Sequence, residues 1–483
     1  MFLNESFFIF FSLVLLLHST IPERFRWSIL LIASYLFYAY IDLRFPIYLF
    51  IVTLFAFFIS SGIDKFKNKR KLLLTLGIIF PVAILFYFKY LNFFLNTIDE
   101  ITGIHLLNYP KGGFRIILPI GISFYVFKII SYHIDHYNGR IKHEKHFGYF
   151  SLYLAFFPQL LAGPIERGKT FLPQLHKKRI FDKNLFLSGL KLVLWGIIKK
   201  TVVADRLAMF VNEVFPSPAE YKGITLIAVA IFFSFQIYCD FSGYSDIAIG
   251  LGRILGYETK DNFNYPYFSR NISEFWNNWH ISLSSWLRDY IFYPTAFSTI
   301  RSLDKIKILK LNVESLTYII ASTLTMFIAG LWHGADWTFV IWGLLIAFFL
   351  IISFLTKKIR KKFVRLIRIN RLKRVHNIFR ILLTFTMVTF AWIFFRAPTI
   401  KDAFIYLENI SFSFTLKSPG QLFFMAIILL LFILGEILVR NNDKLLFIDK
   451  IHWSIKLSGY CILLSIIIIL GVDTNNEFLY FRF

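Results

Sequence analysis

Long apolar runs, separated by short polar segments that are mostly basic, follow one another along the whole chain. A helix that crosses the hydrocarbon core of a bilayer needs roughly 20 mainly apolar residues, and most of these runs reach or approach that length. Some are short enough to be re-entrant or interfacial, so we predict about eleven membrane-spanning helices, within a range of roughly ten to thirteen. In chain order the runs cover residues 6–20, 27–43, 45–63, 72–96, 115–133, 185–198, 223–240, 316–332, 337–356, 379–397, 421–439 and 455–472.

The composition agrees with this pattern. Hydrophobic residues make up 57% of the 483 residues, and charged residues only 17%. A water-soluble domain cannot bury so much apolar surface, whereas membrane helices expose it to lipid. We therefore predict an all-α integral membrane protein. Neither a repeat of fixed period nor a Gly/Ser/Pro-rich linker divides the sequence, which predicts a single polytopic domain over residues 1–483 with a motif-rich core at about 115–403.

The placement of the basic residues predicts the topology. The net charge is +24, but the basic residues lie between apolar runs, as cytoplasmic anchors do, so we expect membrane lipids and not nucleic acid as partners. The segment Lys357–Arg374 holds ten basic residues and no acidic one, and its amphipathic pattern is typical of the inner membrane surface. The loop Asp64–Lys71 is cytoplasmic by the same rule. Counting spans from it places the N-terminus outside and the basic loop Asn138–His146 inside.

Several kinds of chemistry find no support in the sequence. Only two cysteines occur, Cys239 and Cys461, both in apolar contexts, so we do not expect a disulfide framework. No spacing indicates a metal site or a tightly bound cofactor. The phosphate loop G-x-x-x-x-G-K-[ST], the nucleophile elbow G-x-S-x-G and the zinc motif H-E-x-x-H are missing from the sequence. These observations favour proton abstraction near a membrane cavity over NTP-driven or metal-dependent chemistry. The first run lacks a basic start and an A-x-A-like cleavage site, so we expect a membrane helix there instead of a removed signal peptide.

Two segments break the apolar pattern. Phe156–Leu175 contains three prolines and two glycines, and Asp240–Glu258 contains four glycines and two aspartates. Non-helical backbone at membrane depth is tolerated only where protein buries it or a watery cavity solvates it. We therefore predict that both segments are re-entrant and line a cavity. Their candidate lining residues are Gln159, Pro164, Asp240 and Asp246.

The segment Asn262–Pro294 carries the densest chemistry. From Glu274 to Asp289 it has no proline or glycine, which predicts one helix with Trp276 and His280 on the same stripe. His280 is either a functional group or a histidine that is hydrogen-bonded inside a tryptophan-rich bundle. The charged residues are either neutralising partners in a site of low dielectric constant or ordinary interfacial pairs. They are Arg270, Glu274, Arg288 and Asp289.

His333 stands in the middle of the apolar stretch Thr325–Gly343. An ionisable residue within a span is costly and is by default a functional-site hypothesis. Gly330 and Gly334 predict close backbone approach and a helix break beside the ring. A neutral imidazole accepts a proton near neutral pH, as a general base must. The alternative is a buried structural histidine. Asp336, three residues further on, either orients the ring or caps the next helix, and the return of apolar residues at once favours the cap.

A set of motifs in fixed order resembles a known family. The sequence reads LPIGISFYVFKIISYHIDHYNG, FFPQLLAGPIERGKTFLPQL, QIYCDFSGYSDIAIGLGRILGYE, EFWNNWHISLSSWLRDYIFYP and FIAGLWHGADWTFVIWG. Together these motifs resemble the membrane-bound O-acyltransferase (MBOAT) superfamily, and within it the bacterial alginate O-acetylation branch. The stretch Thr386–Ala403 resembles that branch's C-terminal signature, so the resemblance covers about residues 115–403.

The resemblance implies an all-helical bundle around a central funnel, with re-entrant and interfacial helices, in the bacterial inner membrane. It implies that His333 is the general base and that His280 assists it. It also implies a cytoplasmic thioester donor, acetyl-CoA or an acyl carrier protein, and a hydroxyl acceptor on a cell-surface or exported polysaccharide. A periplasmic SGNH-type acetyltransferase partner is expected as well. Further candidate funnel residues are Trp276, Asn277, Asn278, Trp279, Arg288, Asp289 and Trp332.

Two departures leave donor recognition open. Asn277 and Asn278 stand where members often carry a basic residue, and Thr295–Lys307 replaces a Gly-rich basic stretch. A D-alanyl transferase of the teichoic-acid type, which uses an acyl carrier protein, is an alternative within the acyltransferases. A transporter or flippase for lipid-linked glycans is an alternative of another class.

Overall fold

Helices form the whole of the regular structure in the computed structural model, which describes residues 2–103, 116–161, 163–178, 180–303, 313–411, 419–441, 452–472 and 478–479. No strand occurs in these ranges, as the apolar pattern predicts. The chain divides into two compact units, residues 1–194 with 245–261 and residues 195–244 with 262–483. The boundaries near 194 and 244 fall inside helices and not in linkers, and the single-domain interpretation stays a prediction.

The first unit contains helices α1 to α9, most of α10 and the end of α12. Their bounds are α1 Glu5–Thr20, α2 Arg26–Ile41, α3 Phe45–Lys65, α4 Arg70–Leu85, α5 Leu91–Thr102, α6 Ile122–Tyr137, α7 Phe147–Ala155, α8 Phe157–Leu160, α9 Gly168–His176 and α10 Lys183–Ile197. A π-helical turn, Phe86–Tyr90, joins α4 to α5.

The second unit contains the remaining helices. Their bounds are α11 Asp205–Val214, α12 Ile224–Ile254, α13 Ile272–Asn278, α14 Ile281–Leu287, α15 Tyr293–Leu303, α16 Val313–His333, α17 Trp337–Leu355, α18 Lys357–Leu366, α19 Lys373–Arg396, α20 Ile400–Glu408, α21 Pro419–Asn441 and α22 Trp453–Leu470. π-helical segments at Ile198–Ala204 and Arg288–Phe292 connect α10 to α11 and α14 to α15.

Eight helical stretches of the described chain are long and apolar enough to cross a membrane, which confirms the prediction of a multi-pass membrane protein. The count of eleven stays a prediction. Four of the predicted runs coincide with α1, α2, α6 and α10, which have 16, 16, 16 and 15 residues. The eight stretches are Phe45–Lys65, Lys67–Thr102, Ile224–Ile254, Val313–His333, Trp337–Leu355, Lys373–Arg396, Pro419–Leu438 and Trp453–Leu470.

The two segments that were predicted to be re-entrant, Phe156–Leu175 and Asp240–Glu258, differ from each other in the structure. In the first, α8 ends at Leu160 and buried non-helical backbone leads to α9, so the predicted break is confirmed. In the second, the predicted re-entrant backbone is wrong, because α12 runs unbroken to Ile254. Its glycines make room for neighbouring backbone. A Cβ on Gly243 would lie 2.8 Å from the carbonyl oxygen of Gly196, and one on Gly250 would lie 2.7 Å from that of Gly189.

The basic loops of the first unit lie at one of its ends. Arg70 donates to the carbonyl oxygen of Tyr137 at 3.1 Å, which brings the end of α6 to the start of α4. The ring of Trp27, at the start of α2, packs edge-on against His146 with the ring centroids 4.8 Å apart. Residues of the loops Asp64–Lys71 and Asn138–His146 therefore share this end, which we call the basic end, as the span count requires.

The segment after α17 forms a separate amphipathic helix. In α18 the basic residues alternate with Ile359, Phe363 and Leu366, whose side chains are 69%, 58% and 77% exposed. A short helix with exposed apolar residues on one stripe and lysines and arginines elsewhere is typical of a helix that lies on a membrane surface. The structure is consistent with the amphipathic prediction for Lys357–Arg374, although the helix ends at Leu366 and α19 begins at Lys373.

Candidate active site

His333 is the last residue of α16, at the break before α17. Three glycines let these two helices pack with their backbones in contact. A Cβ on Gly330 would lie 2.4 Å from the carbonyl oxygen of Phe339, and one on Gly343 would lie 2.2 Å from that of Met326. Gly334, directly after the histidine, faces the Phe339 ring, to which a Cβ would approach within 2.1 Å. The predicted close approach and helix break are confirmed, and they fix where the imidazole stands.

An aromatic wall surrounds the His333 ring. The side chain is buried, with 3% exposed, and the rings of Trp332, Trp342 and Phe395 pack edge-to-face against it. Their centroids lie 5.0, 5.0 and 5.3 Å from that of the imidazole. Such packing holds the ring in one orientation in a water-poor environment, which is what a positioned proton acceptor requires.

Asp336 caps α17. Its carboxylate accepts the backbone N–H of Thr338 at 2.8 Å, and the residue has extended dihedral angles, as an N-cap does. The capping prediction is confirmed.

His280 lies at a helix break and not inside a helix. The prediction of one helix from Glu274 to Asp289 is wrong, because α13 ends at Asn278 and α14 begins at Ile281. His280 occupies the left-handed region, with φ +42° and ψ +56°. Non-glycine residues adopt this conformation rarely, and it costs on the order of 1–3 kcal/mol unless the surroundings impose it.

Asn262 imposes the conformation at His280. Its side-chain oxygen Oδ1 receives the backbone N–H of Ser282 at 3.2 Å and the Ser282 hydroxyl at 2.9 Å, and it lies 3.1 Å from His280 Nδ1. Because this oxygen can only accept, Nδ1 carries the proton and Nε2 carries the lone pair. The backbone carbonyl of Asn262 also accepts the N–H of Ile281 at 2.8 Å, which secures the start of α14.

Burial keeps the His280 ring neutral. The ring has no exposed surface, and desolvation lowers its pKa to about 3. At neutral pH His280 is therefore an uncharged imidazole with a fixed tautomer. This arrangement suits a hydrogen-bonding or positioning group better than a group that stores a proton.

The two histidines flank one indole. The Trp332 centroid lies 5.7 Å from that of His280 and 5.0 Å from that of His333. Further tryptophans extend the cluster, since Trp342 stacks on Trp392 at 5.4 Å with an interplanar angle of 16°. Two tryptophans predicted to line the funnel pack against this pair. The ring centroid of Trp276 lies 5.8 Å from that of Trp342, and the centroid of Trp279 lies 5.1 Å from that of Trp392.

A cavity of about 270 Å³ adjoins this aromatic cluster. Trp276 belongs to both, because it lines the cavity and packs on Trp342, which in turn contacts His333. The predicted residues Asn277 and Arg288 also line it, and most of its polar groups are hydroxyls. The hydroxyl residues are Ser273, Ser284, Ser285, Tyr318, Ser322 and Thr325.

The charged residues predicted near His280, and Asn278, form ion pairs or hydrogen bonds with neighbouring side chains. Arg288 pairs with Asp289 at 3.0 Å on a half-exposed surface, as expected of an interfacial pair, and Arg270 pairs with Glu274 at 3.3 Å. Asn278 donates to the Ser269 hydroxyl at 3.1 Å.

Asp240 is buried in an ion cluster. It lies 2.6 Å from the ammonium of Lys200 and accepts the backbone N–H of Leu479 at 2.8 Å. Its role as a funnel-lining residue stays a prediction.

Gln159, Pro164 and Asp246 belong to the first unit. The amide of Gln159 is buried and makes no hydrogen bond within the described part of the chain. That these three residues line a cavity stays a prediction.

Sequence reasoning missed Asn262, Trp342, Trp392 and Phe395. The apolar pattern does not single out the three aromatic residues, because a tryptophan or phenylalanine in an apolar run carries no local indication of which residues it will contact. Asn262 lies 18 positions before His280 and outside the predicted helix, so no helical period connects them.

The comparisons with known proteins decide the family. The model of the family described as "MBOAT, membrane-bound O-acyltransferase family" matches residues 31–397, which include both histidines. The chain belongs to this family. The enzyme is therefore a membrane-embedded O-acyltransferase, and the finding favours the transferase interpretation over the transporter one.

Three relatives of the chain have the names of enzymes that transfer acetyl or D-alanyl groups. "Probable alginate O-acetylase AlgI" of Azotobacter vinelandii is 36% identical over 422 residues, 85% of this chain and 77% of that protein. "Peptidoglycan O-acetyltransferase" of Helicobacter pylori is 30% identical over 506 residues, 94% of this chain and 91% of that protein. "Teichoic acid D-alanyltransferase" of Streptococcus thermophilus is 29% identical over 231 residues, only 47% of this chain and 54% of that protein.

Proposed function

We propose that this enzyme transfers an acetyl group from a cytoplasmic thioester, acetyl-CoA, to a hydroxyl of a cell-surface or exported polysaccharide, directly or through a periplasmic SGNH-type acetyltransferase. The observation that carries the proposal is the buried imidazole of His333, held at the α16–α17 break by three aromatic rings beside a second, neutral histidine. The names of the two relatives that align over most of the chain support acetyl transfer to a glycan.

In the proposed reaction His333 accepts the proton of the acceptor hydroxyl as its oxygen attacks the thioester carbonyl. The carbon–sulfur bond then breaks, and the thiolate takes up the proton that His333 holds. A general base of this kind contributes typically ~10²–10⁴-fold, and positioning of the two substrates contributes much of the rest. His280 assists through its fixed tautomer, with Nδ1–H held by Asn262. The 270 Å³ cavity, which shares Trp276 with the aromatic cluster, is a suitable place for the small acyl end of the donor.

The proposed topology brings the donor from the cytoplasm. By the positive-inside rule the basic end of the first unit faces the cytoplasm, which places the N-terminus outside in the bacterial inner membrane.

The decisive experiment is His333→Ala, scored by the ester content of the cell-surface polymer. We expect loss of the esters at unchanged protein level, whereas His452→Ala, at the exposed start of α22, keeps them. Wild-type ester content in a stably expressed His333→Ala strain would refute the assignment of the base.

D-alanyl transfer is the second candidate, favoured by the partial match to the teichoic acid D-alanyltransferase. Mild alkali releases the ester-bound group from the polymer, and chromatography identifies it. Acetate supports the proposal, and D-alanine supports the alternative with an acyl carrier protein as donor.

A further inference from the structure

The first unit contains a cavity of about 880 Å³ that the acyl-transfer proposal does not use. Its walls come from the α1–α2 connection, from α9 with the turn that follows it, and from the end of α12. It lies at the basic end, because α9, which contributes to its wall, ends at His176, and His176 hydrogen-bonds Glu144 of the basic loop at 2.6 Å. Its basic lining residues are Arg26, Lys177, Lys178, Arg253 and Lys260.

The acidic residues of the cavity are mostly occupied by the protein itself. Asp182 accepts the backbone N–H groups of Asn184 and Leu185 at 2.8 and 3.1 Å, as the cap of α10. Glu166 accepts the Thr170 hydroxyl at 2.8 Å and the backbone N–H of Lys260 at 3.1 Å. Glu258, the third acidic lining residue, is exposed to solvent.

The lysines that line the cavity, by contrast, are not neutralised by carboxylates of the described chain. Lys177, Lys178 and Lys260 form no ion pair with any carboxylate of the described chain, whereas Arg253 lies 3.8 Å from Asp261. Three lysines that line one cavity provide positive charge suited to an anion with several oxygens, such as a phosphate group. Ligand sites typically have volumes of ~300–1,000 Å³, so the cavity is large enough for more than a single ion.

Apolar residues at the rim indicate that this cavity meets the membrane surface. Ile180 and Phe181 line the cavity, follow Lys177 and Lys178 in the chain after one intervening residue, and are 93% and 73% exposed. Basic residues next to exposed large apolar side chains are typical of the boundary between lipid headgroups and acyl chains.

We propose that this cavity binds a phosphate-bearing ligand through Lys177, Lys178 and Lys260. The phosphate belongs either to the headgroup of an anionic phospholipid or to the soluble thioester donor, and only the donor reading rests on the function proposed above. In both cases the ammonium groups neutralise the phosphate, and the apolar rim accommodates the attached chain.

The test compares two triple variants of the full-length enzyme in nanodiscs of zwitterionic phosphatidylcholine. The site variant is Lys177→Gln/Lys178→Gln/Lys260→Gln. The matched control is Lys65→Gln/Lys67→Gln/Lys69→Gln, which removes the same charge from exposed positions at the same end of the same unit. The probes are coenzyme A, measured by titration calorimetry, and dioleoyl phosphatidylglycerol, measured by native mass spectrometry.

We expect at least a tenfold weaker affinity for one or both probes in the site variant, with near wild-type affinity in the control. Loss for phosphatidylglycerol alone assigns the lipid headgroup, loss for coenzyme A alone assigns the donor, and loss for both assigns the phosphate itself. Equal affinities in all three proteins, equal losses in both variants, or no binding to the wild type would overturn the proposal. Because binding needs no turnover, His333→Ala tests the proposed function separately.

Discussion

At the scale of single residues, the site depends on one amide. The Asn262 oxygen collects three donors, from His280 and from the backbone and hydroxyl of Ser282, and thereby fixes both a tautomer and a left-handed backbone conformation. The backbone carbonyl of the same residue accepts the N–H of Ile281, so Asn262 holds both sides of the break between α13 and α14. Asn262 is accordingly a positioning residue.

Replacing Asn262 by leucine is expected to displace His280. The change leaves buried donors without their acceptor, and each such loss costs roughly 1–3 kcal/mol. We expect a lower melting temperature together with a reduction of kcat on the order of tenfold or more, since positioning is lost. Asn264→Ala is the matched control, because that side chain is exposed. An Asn262→Leu enzyme with wild-type kcat would show that His280 needs no such support.

The depressed pKa of His280 predicts a pH dependence of stability. The folded protein keeps the ring neutral down to about pH 3, whereas an unfolded histidine titrates near pH ~6.5. Between these values the unfolded state binds more protons than the folded state. The contribution of His280 to the free energy of unfolding is therefore fully present above pH ~6.5. It decreases as the pH falls, by at most ~1.4 kcal/mol per pH unit. Thermal unfolding at pH 7 and pH 5 measures the effect, and His280→Gln is expected to lose less on acidification. Identical pH profiles of the two proteins would contradict this role.

The residues of the site were predictable to different degrees. His333 was found from the sequence because an ionisable ring in an apolar run has a cost that demands a reason. The break at His280 was missed because EFWNNWHIS contains no glycine or proline, and a side chain distant in sequence terminates the helix. Local patterns carry no information about such a contact.

At the scale of elements, the α16–α17 pair determines where the base stands. Gly330 and Gly343 bring the helices together so closely that a methyl group on either would overlap the carbonyl oxygen of the other helix. The same reasoning explains why α12 is continuous. Its glycines mark helix–helix contact and not flexible backbone, which a single sequence does not distinguish.

Gly343→Ala is expected to impair both stability and activity. Its Cβ would lie 2.2 Å from the Met326 carbonyl oxygen, so the helices must separate, and overpacking of this kind typically costs ~1–3 kcal/mol. The shift moves the His333 end of α16, and kcat is expected to fall more than KM changes. Gly459→Ala, in α22, has no atom within 4 Å of the new Cβ and is expected to be neutral or slightly stabilising. The two variants are compared by thermal unfolding and acyl transfer, and equal behaviour would argue against the packing role of Gly343.

At the scale of the whole molecule, the apolar runs predicted helix type and membrane insertion well, because both follow from hydrophobicity over some 20 residues. The span count was less predictable, since runs that form helices of 15 or 16 residues do not reveal from sequence whether they cross. The charge pattern predicted that two basic loops share one side, and in the first unit they do lie at one end. Which side of the membrane that end faces follows from the positive-inside rule alone.

Cysteine accessibility decides that side. In a Cys461→Ser background, where Cys239 is buried, we introduce Lys67→Cys at the basic end and Leu43→Cys at the α2–α3 connection. Both positions are exposed, and α3 with its 21 residues separates them. A membrane-impermeant maleimide is expected to label Leu43→Cys in intact cells and Lys67→Cys only after permeabilisation, because lysines and arginines accumulate on the cytoplasmic side. The opposite pattern would place the 880 Å³ cavity outside the cell, where coenzyme A is not available, and would leave the phospholipid headgroup as its only phosphate source.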